Sequence, residues 1–248
     1  MVPLKGLREE KHGKVLCYPR FEKEELERRL IELKNLEVQA LEFVGEKNVF
    51  GLPVLGKGCV GVVVVAFTKL GRVALKIRRV DADRNEMFNE GKMLTRANIV
   101  DVGPKLLETS ENFLLMELIE GNLFPKWLKS MEEKVQAPVR LVLKDILEQC
   151  YRLDEYGLDH GELSNAPKHI IVDLRNIPHL IDFETASINR RVSNVTSVSR
   201  YFFLGSHIAN ELKENLGKLD EKELIKVLRT YKQKRSRENF ERILEMIV

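Results

Sequence analysis

The sequence predicts an α+β fold: an antiparallel sheet of five strands with one helix, followed by a mainly helical half. Residues 49–79 are rich in Val, Leu and Gly, and the turn Leu70-Gly71 separates two apolar runs within them. One stretch of helical spacing interrupts this strand-rich part, and after Gly121 apolar residues recur mainly at helical spacing. The boundary between the two parts is therefore predicted near Gly121.

The composition is that of a globular protein with balanced charge. Of the 248 residues, 44% are hydrophobic and 32% are charged, and the formal net charge is +3. This length suits one large domain or two small lobes, and the charge by itself predicts no nucleic-acid partner. The cysteines Cys17, Cys59 and Cys150 show no paired spacing, which favours reduced thiols. Without an apolar signal segment or a membrane-length run, the chain is expected to be cytoplasmic, with no membrane partner.

Residues 1–47 are predicted to form an N-terminal helical extension. From Phe21, apolar residues recur at spacings of four and three, at Leu26, Leu30 and Leu33, which is typical of one helix face. The alternating charges around them indicate a solvated opposite face. We expect this helix to pack on the part of the chain that follows, and a docking surface is the alternative.

Residues 48–120 are predicted to form the first lobe. Its five expected strands are 49–56, 60–67, 72–79, 104–109 and 113–119. A helix is expected from about Asp83 to Ala97, between the third and fourth strands. Its apolar stripe consists of Met87, Glu90, Leu94 and Ala97. A carboxylate on such a stripe is unusual and needs an explanation.

Residues 121–248 are predicted to form the second lobe. A long helix is expected to begin at Pro138 and to end at Gly157. Its apolar stripe consists of Val139, Val142, Ile146, Cys150 and Leu153. A small hairpin over 170–182 and helices over 193–216 and 221–247 are expected to follow, and Asp220 and Glu223 are placed as the capping pair of the last helix.

The segment from Gly56 to Val63 matches the pattern G-x-G-x-x-G-x-V through Gly56, Gly58, Gly61 and Val63. Glycines at these spacings allow a hairpin backbone to approach phosphate groups closely. A dinucleotide-binding glycine motif would open a helix, whereas here a run of valines continues as a strand. The motif therefore favours a phosphate-binding hairpin, and a glycine-rich turn of an ordinary sheet is the structural alternative.

Lys76 ends the apolar run Val73-Ala74-Leu75-Lys76. A lysine at a strand end is usually an edge residue whose ammonium reaches solvent. Glu90, however, lies on the apolar stripe of the next helix, where a buried carboxylate needs a cation. We therefore predict an ion pair between Lys76 and Glu90 that holds the ammonium for two phosphates, with Glu86 as the competing partner.

Asp182 directly follows an apolar run, which is where a carboxylate at a strand end can bind Mg²⁺. A turn-initiating aspartate is the structural alternative. The order of glycine hairpin, lysine, helix glutamate and this aspartate favours the metal role.

Taken together, these motifs resemble the protein-kinase-like superfamily, and specifically small archaeal predicted Ser/Thr protein kinases of a minimal, Rio-like kind, from Val49 to Ser187. The resemblance implies a bilobal kinase-like fold that binds ATP and Mg²⁺. By this resemblance Met116 is the gatekeeper, and the backbone of Glu117 to Ile119 receives adenine. The nucleotide-binding residues implied are Gly56, Gly58, Gly61, Val63, Ala74, Lys76, Glu90, Met116, Glu117 and Ile119.

The catalytic residues implied by the resemblance are Lys76, Glu162 and Asp182. His160-Gly161-Glu162-Leu163 resembles the family's HRD or HGD loop, with Glu162 in place of the catalytic aspartate. Asp182-Phe183-Glu184 resembles its DFG motif, with a glutamate in place of the glycine.

The second metal ligand stays open in the sequence. The position of the family's usual asparagine holds Pro167. Asn165 and His169 are therefore alternative ligands beside Asp182, and His169 is equally expected as a structural loop residue.

The function expected is an ATP- and Mg²⁺-dependent phosphotransferase, acting on Ser or Thr of a protein or on itself. Departures at Glu162, Pro167 and Glu184 leave a nucleotide-binding switch or scaffold as the alternative, and a small-molecule kinase ranks last. Residues 229–237 are locally basic, so RNA contact is an alternative there, although a solvated connection between helix turns is favoured.

Overall fold

The computed structural model describes residues 1–83, 85–131, 136–216 and 219–247. The fold is of the α+β class, with antiparallel sheets and many helices. The chain divides into two compact units, Met1–Thr95 with Pro104–Leu118, and Arg96–Gly103 with Ile119–Val248. Among the described ranges, no helix combines the length and apolar character needed to cross a membrane.

Strands and helices are labelled in chain order. The strands are β1 Val2–Pro3, β2 Ala40–Glu42, β3 Lys47–Val49, β4 Leu52–Val54, β5 Gly56–Lys57, β6 Gly61–Thr68, β7 Gly71–Arg78, β8 Leu106–Thr109, β9 Phe113–Glu117, β10 Gly121–Leu123, β11 Ile170–Asp173 and β12 Pro178–Leu180. The helices are α1 Glu10–Leu16, α2 Lys23–Asn35, α3 Glu86–Ile99, α4 Phe124–Ser130, α5 Gln136–Tyr156, α6 Asn194–Phe203, α7 His207–Leu216, α8 Glu221–Gln233 and α9 Arg237–Ile247. Short 3-10 helices span Leu4–Arg8 and Leu163–Lys168.

The first unit is built on an antiparallel sheet with strand order β1-β2-β6-β7-β9-β8, in which β5 also pairs with β6. The four strands predicted after Gly58 are confirmed as β6, β7, β8 and β9, with ends that shift by two residues or fewer. The predicted helix stripe is confirmed on α3, since all four of its residues are buried. The carboxylate on that stripe is therefore inside the unit.

The prediction of one strand over 49–56 was wrong. Phe50 and Gly51 both have positive φ, 53° and 83°, which is the conformation of a type I′ hairpin turn. The Gly51 N–H donates to the Asn48 Oδ1 at 2.9 Å and closes this turn. Strands β3 and β4 therefore pair with each other, and only the short β5 reaches the main sheet.

The N-terminal region differs from the expected helical extension. Besides α1 and α2 it contains β1 and β2, which pair with each other, and β2 also pairs with β6. The short run Ala40–Glu42 gave no clear strand pattern, because a three-residue strand carries almost no period-two signal. The main sheet consequently has seven strands rather than five.

One face of the main sheet is covered by the N-terminal helices. This face carries the apolar residues Val62, Val64, Ala66, Val73, Leu75, Ile77, Phe113 and Leu115. They belong to one hydrophobic cluster that includes the predicted stripe of α2, namely Leu26, Leu30 and Leu33. The expectation that this helix packs on the following part is thus confirmed, and the opposite face of the sheet is the one that carries Lys76.

The second unit contains a three-stranded antiparallel sheet, β10-β11-β12, and a set of helices. The long predicted helix is confirmed as α5, and all five residues of its predicted stripe are buried. The predicted hairpin over 170–182 is confirmed as β11 and β12. Asp220 is confirmed as the N-cap of α8, since its Oδ1 accepts hydrogen bonds from the N–H groups of Lys222 and Glu223.

The prediction of single helices over 193–216 and 221–247 was wrong, because each range contains two helices. Gly205, at φ +77°, ends α6, and the Ser206 Oγ accepts the Ala209 N–H at 2.9 Å at the start of α7. The Ser236 Oγ accepts the Asn239 N–H at 3.3 Å where α9 begins. Both breaks follow from serine caps that the apolar spacing does not reveal. Of the connection before α8, residues 217 and 218 lie outside the described ranges.

Candidate active site

The glycine-rich segment of the first unit is a tight turn between β5 and β6. The Gly58 N–H donates to the Gly61 O at 2.8 Å. A Cβ at Gly61 would lie 3.0 Å from both the Lys76 Cγ and the Ile77 O, whereas one at Gly58 would come no closer than 3.7 Å to another group. Gly61 is therefore required by the close approach of Lys76, and Gly58 leaves an open surface at the turn.

Several of the predicted nucleotide-binding residues lie on one face of the sheet. Gly56 pairs with Val63, Val63 with Lys76, and Ala74 with Met116. Paired residues, and residues two apart in one strand, point to the same face. The register therefore places Gly56, Val63, Ala74, Lys76 and Met116 together, opposite the face covered by α1 and α2.

Lys76 and Glu90 form a buried ion pair within the first unit. The Lys76 Nζ lies 2.7 Å from the Glu90 Oε2, and the two side chains are 5% and 3% exposed. Glu86, the competing partner, lies at the start of α3 and is partly exposed. A buried pair of this kind is seldom retained for stability alone, because desolvation offsets much of the attraction between the charges. The Glu90 carboxylate therefore holds the Lys76 ammonium in a fixed position.

The predicted adenine segment, which begins at the last residue of β9, is only partly available for hydrogen bonding. The Glu117 N–H donates to the Lys105 O at 2.9 Å, and the Glu117 Oε2 accepts the Lys105 N–H at 3.2 Å. A base such as adenine could therefore not accept a hydrogen bond from the Glu117 N–H. Ile119, the other end of the predicted adenine segment, belongs to the second unit.

In the second unit, the β11–β12 hairpin brings His169 and Asp182 together. His169 directly precedes β11, and its O accepts the Ile181 N–H at 2.9 Å. This extends the pairing beyond Ile170 and Leu180, so Asp182 lies beside His169. The His169 Nδ1 is 3.8 Å from the Asp182 Oδ2.

Glu162 joins the same group. The His169 Nε2 lies 3.0 Å from the Glu162 Oε2, and the Glu162 side chain is 40% exposed. One ligand atom from each of Glu162, His169 and Asp182 lies within 4.8 Å of the other two. Asn165, the alternative metal ligand, is an exposed residue of the 3-10 helix, and its N–H donates to the Glu162 O at 2.8 Å.

His160 is a fully buried residue that supports the loop carrying Glu162. Burial, with repulsion from nearby His169, lowers the pKa of His160 to about 4, so its ring is neutral at pH 7. Its Nε2 lies 3.1 Å from the Ile181 O, a group that only accepts, so the Nε2 carries the proton. The ring also packs against Phe183, with centroids 4.9 Å apart.

The backbone at Gly161 is held by the segment that follows Asp182. Gly161 has a φ of +93°, and a Cβ there would lie 2.5 Å from the Arg190 Nη2 and 2.7 Å from the Thr185 Oγ1. Arg190 also donates from its Nε to the buried Asp159 Oδ2 at 2.6 Å. These contacts join two segments more than twenty residues apart, so no local pattern in the sequence indicates Arg190 or Thr185.

A buried polar network beneath the loop was also missed. The Asn194 Oδ1 accepts the His160 N–H at 2.8 Å, and the Asn194 Nδ2 donates to Asp154 and to the Leu158 O. The Tyr231 hydroxyl donates to the Asp154 Oδ2 at 3.0 Å. Burial raises the pKa of Asp154 to about 6, although these hydrogen bonds favour its ionised form. A polar residue at the start of a helix is the only signal that could have indicated Asn194.

Most of residues 229–237 are exposed, and two of them, Tyr231 and Arg237, are engaged within the second unit. Tyr231 is buried, and Arg237 makes two hydrogen bonds to the carboxylate of Glu148, at 2.7 and 2.8 Å. Arg237 also lies over the Tyr151 ring, 5.4 Å from its centroid. The favoured interpretation, a connection between helices, therefore accounts for two of the residues that suggested RNA contact.

Comparisons with known proteins relate the chain to kinases over part of its length. No family model matches the chain. The Serine/threonine-protein kinase YabT of Bacillus subtilis is 29% identical over 128 residues, which cover 48% of this chain and 36% of YabT. The chain therefore spans about a third of that kinase, and the similarity indicates a kinase-like relationship.

A second relative covers a similar share of this chain. The uncharacterized protein MJ1211 of Methanocaldococcus jannaschii is 31% identical over 121 residues, which cover 48% of this chain and 97% of MJ1211. The chain belongs to the same protein family as MJ1211. The name of that relative specifies no activity.

Proposed function

We propose that the chain is an ATP- and Mg²⁺-dependent phosphotransferase with a bilobal kinase-like fold, a minimal Ser/Thr protein kinase acting on a protein or on itself. The observation that carries this proposal is the buried pair of Lys76 and Glu90 beside the glycine-rich turn. The partial similarity to YabT supports the same class.

In the first unit, the glycine-rich turn and Lys76 would bind the phosphates of ATP. Backbone N–H groups of a glycine turn and a fixed ammonium together neutralise phosphate charge. Val63, Ala74 and Met116 would contact the base from the same face of the sheet. Glu90 would keep the Lys76 ammonium in a defined position, and positioning of this kind supplies much of the catalysis of phosphoryl transfer.

In the second unit, Asp182 would hold the metal ion, together with His169 or Asn165, and Glu162 would orient the acceptor hydroxyl and accept its proton. These residues fit a divalent cation, because two carboxylates and an imidazole converge within 4.8 Å. When bound, the cation would neutralise charge that develops on the transferred phosphoryl group.

The hydrogen bond between His169 and Glu162 favours a second candidate, a nucleotide-binding protein with little transfer activity. A carboxylate already held by an imidazole at 3.0 Å is a poorer proton acceptor for a substrate hydroxyl. The small-molecule kinase stays the last alternative.

The test is incubation of the purified chain with γ-labelled ATP, Mg²⁺ and a mixture of acceptor proteins. We expect label to be transferred by the wild type and lost in Asp182→Ala and Glu162→Gln. Glu245→Gln, an exposed carboxylate on α9, is the matched control and should keep full activity.

Fluorescence or calorimetric titration with ATP separates the two candidates. Binding without any labelled acceptor would support the nucleotide-binding protein and overturn the enzyme. Full activity in Glu162→Gln would refute its catalytic role, and absence of ATP binding would overturn both candidates.

A further inference from the structure

We propose that His169 and Asp182, with Glu162 orienting the imidazole, form a divalent-cation site that prefers Mn²⁺ to Mg²⁺. This rests on the metal role proposed for Asp182, and it replaces the open choice between Asn165 and His169 with His169. It concerns binding by the chain itself, so it can be tested without phosphoryl transfer.

The hydrogen bond to Glu162 decides which ring nitrogen of His169 is available. An ionised Glu162 Oε2 can only accept a hydrogen bond, so at 3.0 Å it accepts one from the N–H at the His169 Nε2. In the neutral ring the lone pair is then on the Nδ1. The nitrogen that carries the lone pair is thus the one that lies 3.8 Å from the Asp182 Oδ2.

The His169 Nδ1 is a buried polar atom without a hydrogen-bond partner among the described residues. The His169 side chain is 6% exposed. The distance of 3.8 Å between its Nδ1 and the Asp182 Oδ2 is too long for a hydrogen bond. A buried acceptor left in this state costs free energy, so each such atom needs an explanation. A cation bound to it would supply one.

The spacing of the two groups suits a shared cation. A metal about 2.1 Å from each ligand accommodates ligand atoms up to about 4 Å apart, and the Nδ1 and the Oδ2 lie 3.8 Å apart. The Asp182 side chain is 36% exposed, which leaves room for water or phosphate oxygens as further ligands.

Glu162 has the place of an orienting carboxylate. A histidine that binds a metal through one nitrogen commonly donates its other N–H to a carboxylate, which fixes the ring and makes the ligating nitrogen more basic. Glu162 meets this description at the Nε2. Its loop is fixed in turn by the buried ring of His160 and by the close contacts at Gly161.

The imidazole sets the preference among cations. Mg²⁺ favours oxygen ligands and gives up its bound water reluctantly, whereas imidazole suits first-row transition metals. Mn²⁺ accepts both carboxylate oxygen and imidazole nitrogen, and it is the natural probe for a mixed site. An asparagine at the position of His169 would provide oxygen and remove the basis for the preference.

The test is titration of the nucleotide-free chain with Mn²⁺, followed by electron paramagnetic resonance, with Mg²⁺ as the competitor. We expect one Mn²⁺ site that Mg²⁺ occupies at least tenfold more weakly, with nitrogen coupling from the imidazole in the spectrum. His169→Ala and Asp182→Ala should weaken Mn²⁺ binding at least about 100-fold, and Glu162→Gln about 10- to 100-fold.

Three further variants make the result specific. His179→Ala removes a histidine that contacts Asp173 on the same hairpin, and it should leave Mn²⁺ binding unchanged. Asn165→Ala should also leave it unchanged. His169→Asn should abolish the nitrogen coupling while bringing the affinities for Mn²⁺ and Mg²⁺ closer together.

Mg²⁺ binding as tight as Mn²⁺, or nitrogen coupling that survives in a folded His169→Ala chain, would overturn the inference. Loss of Mn²⁺ binding in Asn165→Ala would do the same. A chain that binds Mn²⁺ as described but transfers no phosphate would refute the enzyme and leave the cation site standing.

Discussion

At the scale of single residues, Gly61 shows how packing and a proposed function can require the same residue. The glycine motif predicts a phosphate-binding turn, yet a Cβ at Gly61 would also lie 3.0 Å from both the Lys76 stem and the Ile77 O. Gly58 belongs to the same motif and lacks that close contact. Substitution of Gly61 therefore tests close packing at the turn, whereas substitution of Gly58 changes an open surface.

We predict that Gly61→Ala lowers the free energy of unfolding by about 1–3 kcal/mol, because the added methyl group overpacks the space beside Lys76 and Ile77. Gly58→Ala should change it by less than about 1 kcal/mol. Urea denaturation of both variants measures this difference. Equal effects of the two substitutions would show that the Lys76 stem does not limit the space at Gly61.

The residues that the sequence indicated are those whose own surroundings are unusual. Glu90 could be predicted because a carboxylate on an apolar stripe conflicts with its neighbours in the same helix, and Lys76 because it ends an apolar strand. Asn194 and Arg190 could not, because their partners lie 34 and 31 residues away in the chain. The residues next to Asn194 and Arg190 in the sequence show no unusual pattern that would indicate their role.

At the scale of elements, α2 is attached to the first unit by a buried arginine as well as by its apolar stripe. Arg29 is fully buried, and its Nη1 donates to the Leu16 O at 2.6 Å and to the Arg78 O at 2.5 Å. Its Nε donates to the Glu25 Oε1 at 2.6 Å. One side chain thus joins the end of α1, the body of α2 and the end of β7.

We predict that Arg29→Ala destabilises the chain by about 3 kcal/mol, because one oxygen of the Glu25 carboxylate and two buried carbonyl groups lose this donor. Arg28 offers a matched control: it contacts the same Glu25 at 2.7 Å but is 66% exposed. Arg28→Ala should cost less than about 1 kcal/mol. Thermal and urea unfolding of the two variants compares them directly, and a similar loss in both would contradict the bridging role.

The elements that could be predicted are long and periodic. α2, α3 and α5 each show an apolar stripe over several turns, and β6 and β7 each run for eight residues. The elements that could not are short or depend on caps, such as β2 and the break at Gly205. Three-residue strands are stabilised by their partners in the sheet, so their own residues carry little signal.

At the scale of the whole molecule, a single buried carboxylate connects three helices of the second unit. Asp154 lies on α5, and it accepts hydrogen bonds from Asn194 at the start of α6 and from Tyr231 on α8. Through the Asn194 Oδ1 this network also reaches the backbone of His160. The C-terminal helices and the loop of Glu162 thus share one ionisable group.

This group gives the stability of the second unit a defined pH dependence. The pKa of Asp154 is about 6 in the folded chain, against an ordinary value of 3.8, so the folded state binds this proton more tightly. Its contribution to stability is therefore full below about pH 4 and is lost as the pH rises through about 6.

We predict that Tyr231→Phe raises the pKa of Asp154 further, because the hydroxyl stabilises the ionised carboxylate. The variant should lose about 1–2 kcal/mol of stability at pH 8, where Asp154 is ionised, and less at pH 5. Carbon-13 titration of the carboxyl group and urea unfolding at both pH values measure these effects. Tyr156→Phe on α5 is the control, and an unshifted titration midpoint in Tyr231→Phe would contradict the prediction.

Asp182 has a φ of +68°, a left-handed conformation that glycine adopts more readily than any other residue. An aspartate there holds about 1 kcal/mol of backbone strain. A glycine at this position would relieve the strain, but it would also remove the carboxylate that the proposed cation site requires. We therefore expect relatives that bind a cation at this place to keep the aspartate despite the strain, and relatives that have glycine here to have lost the cation site.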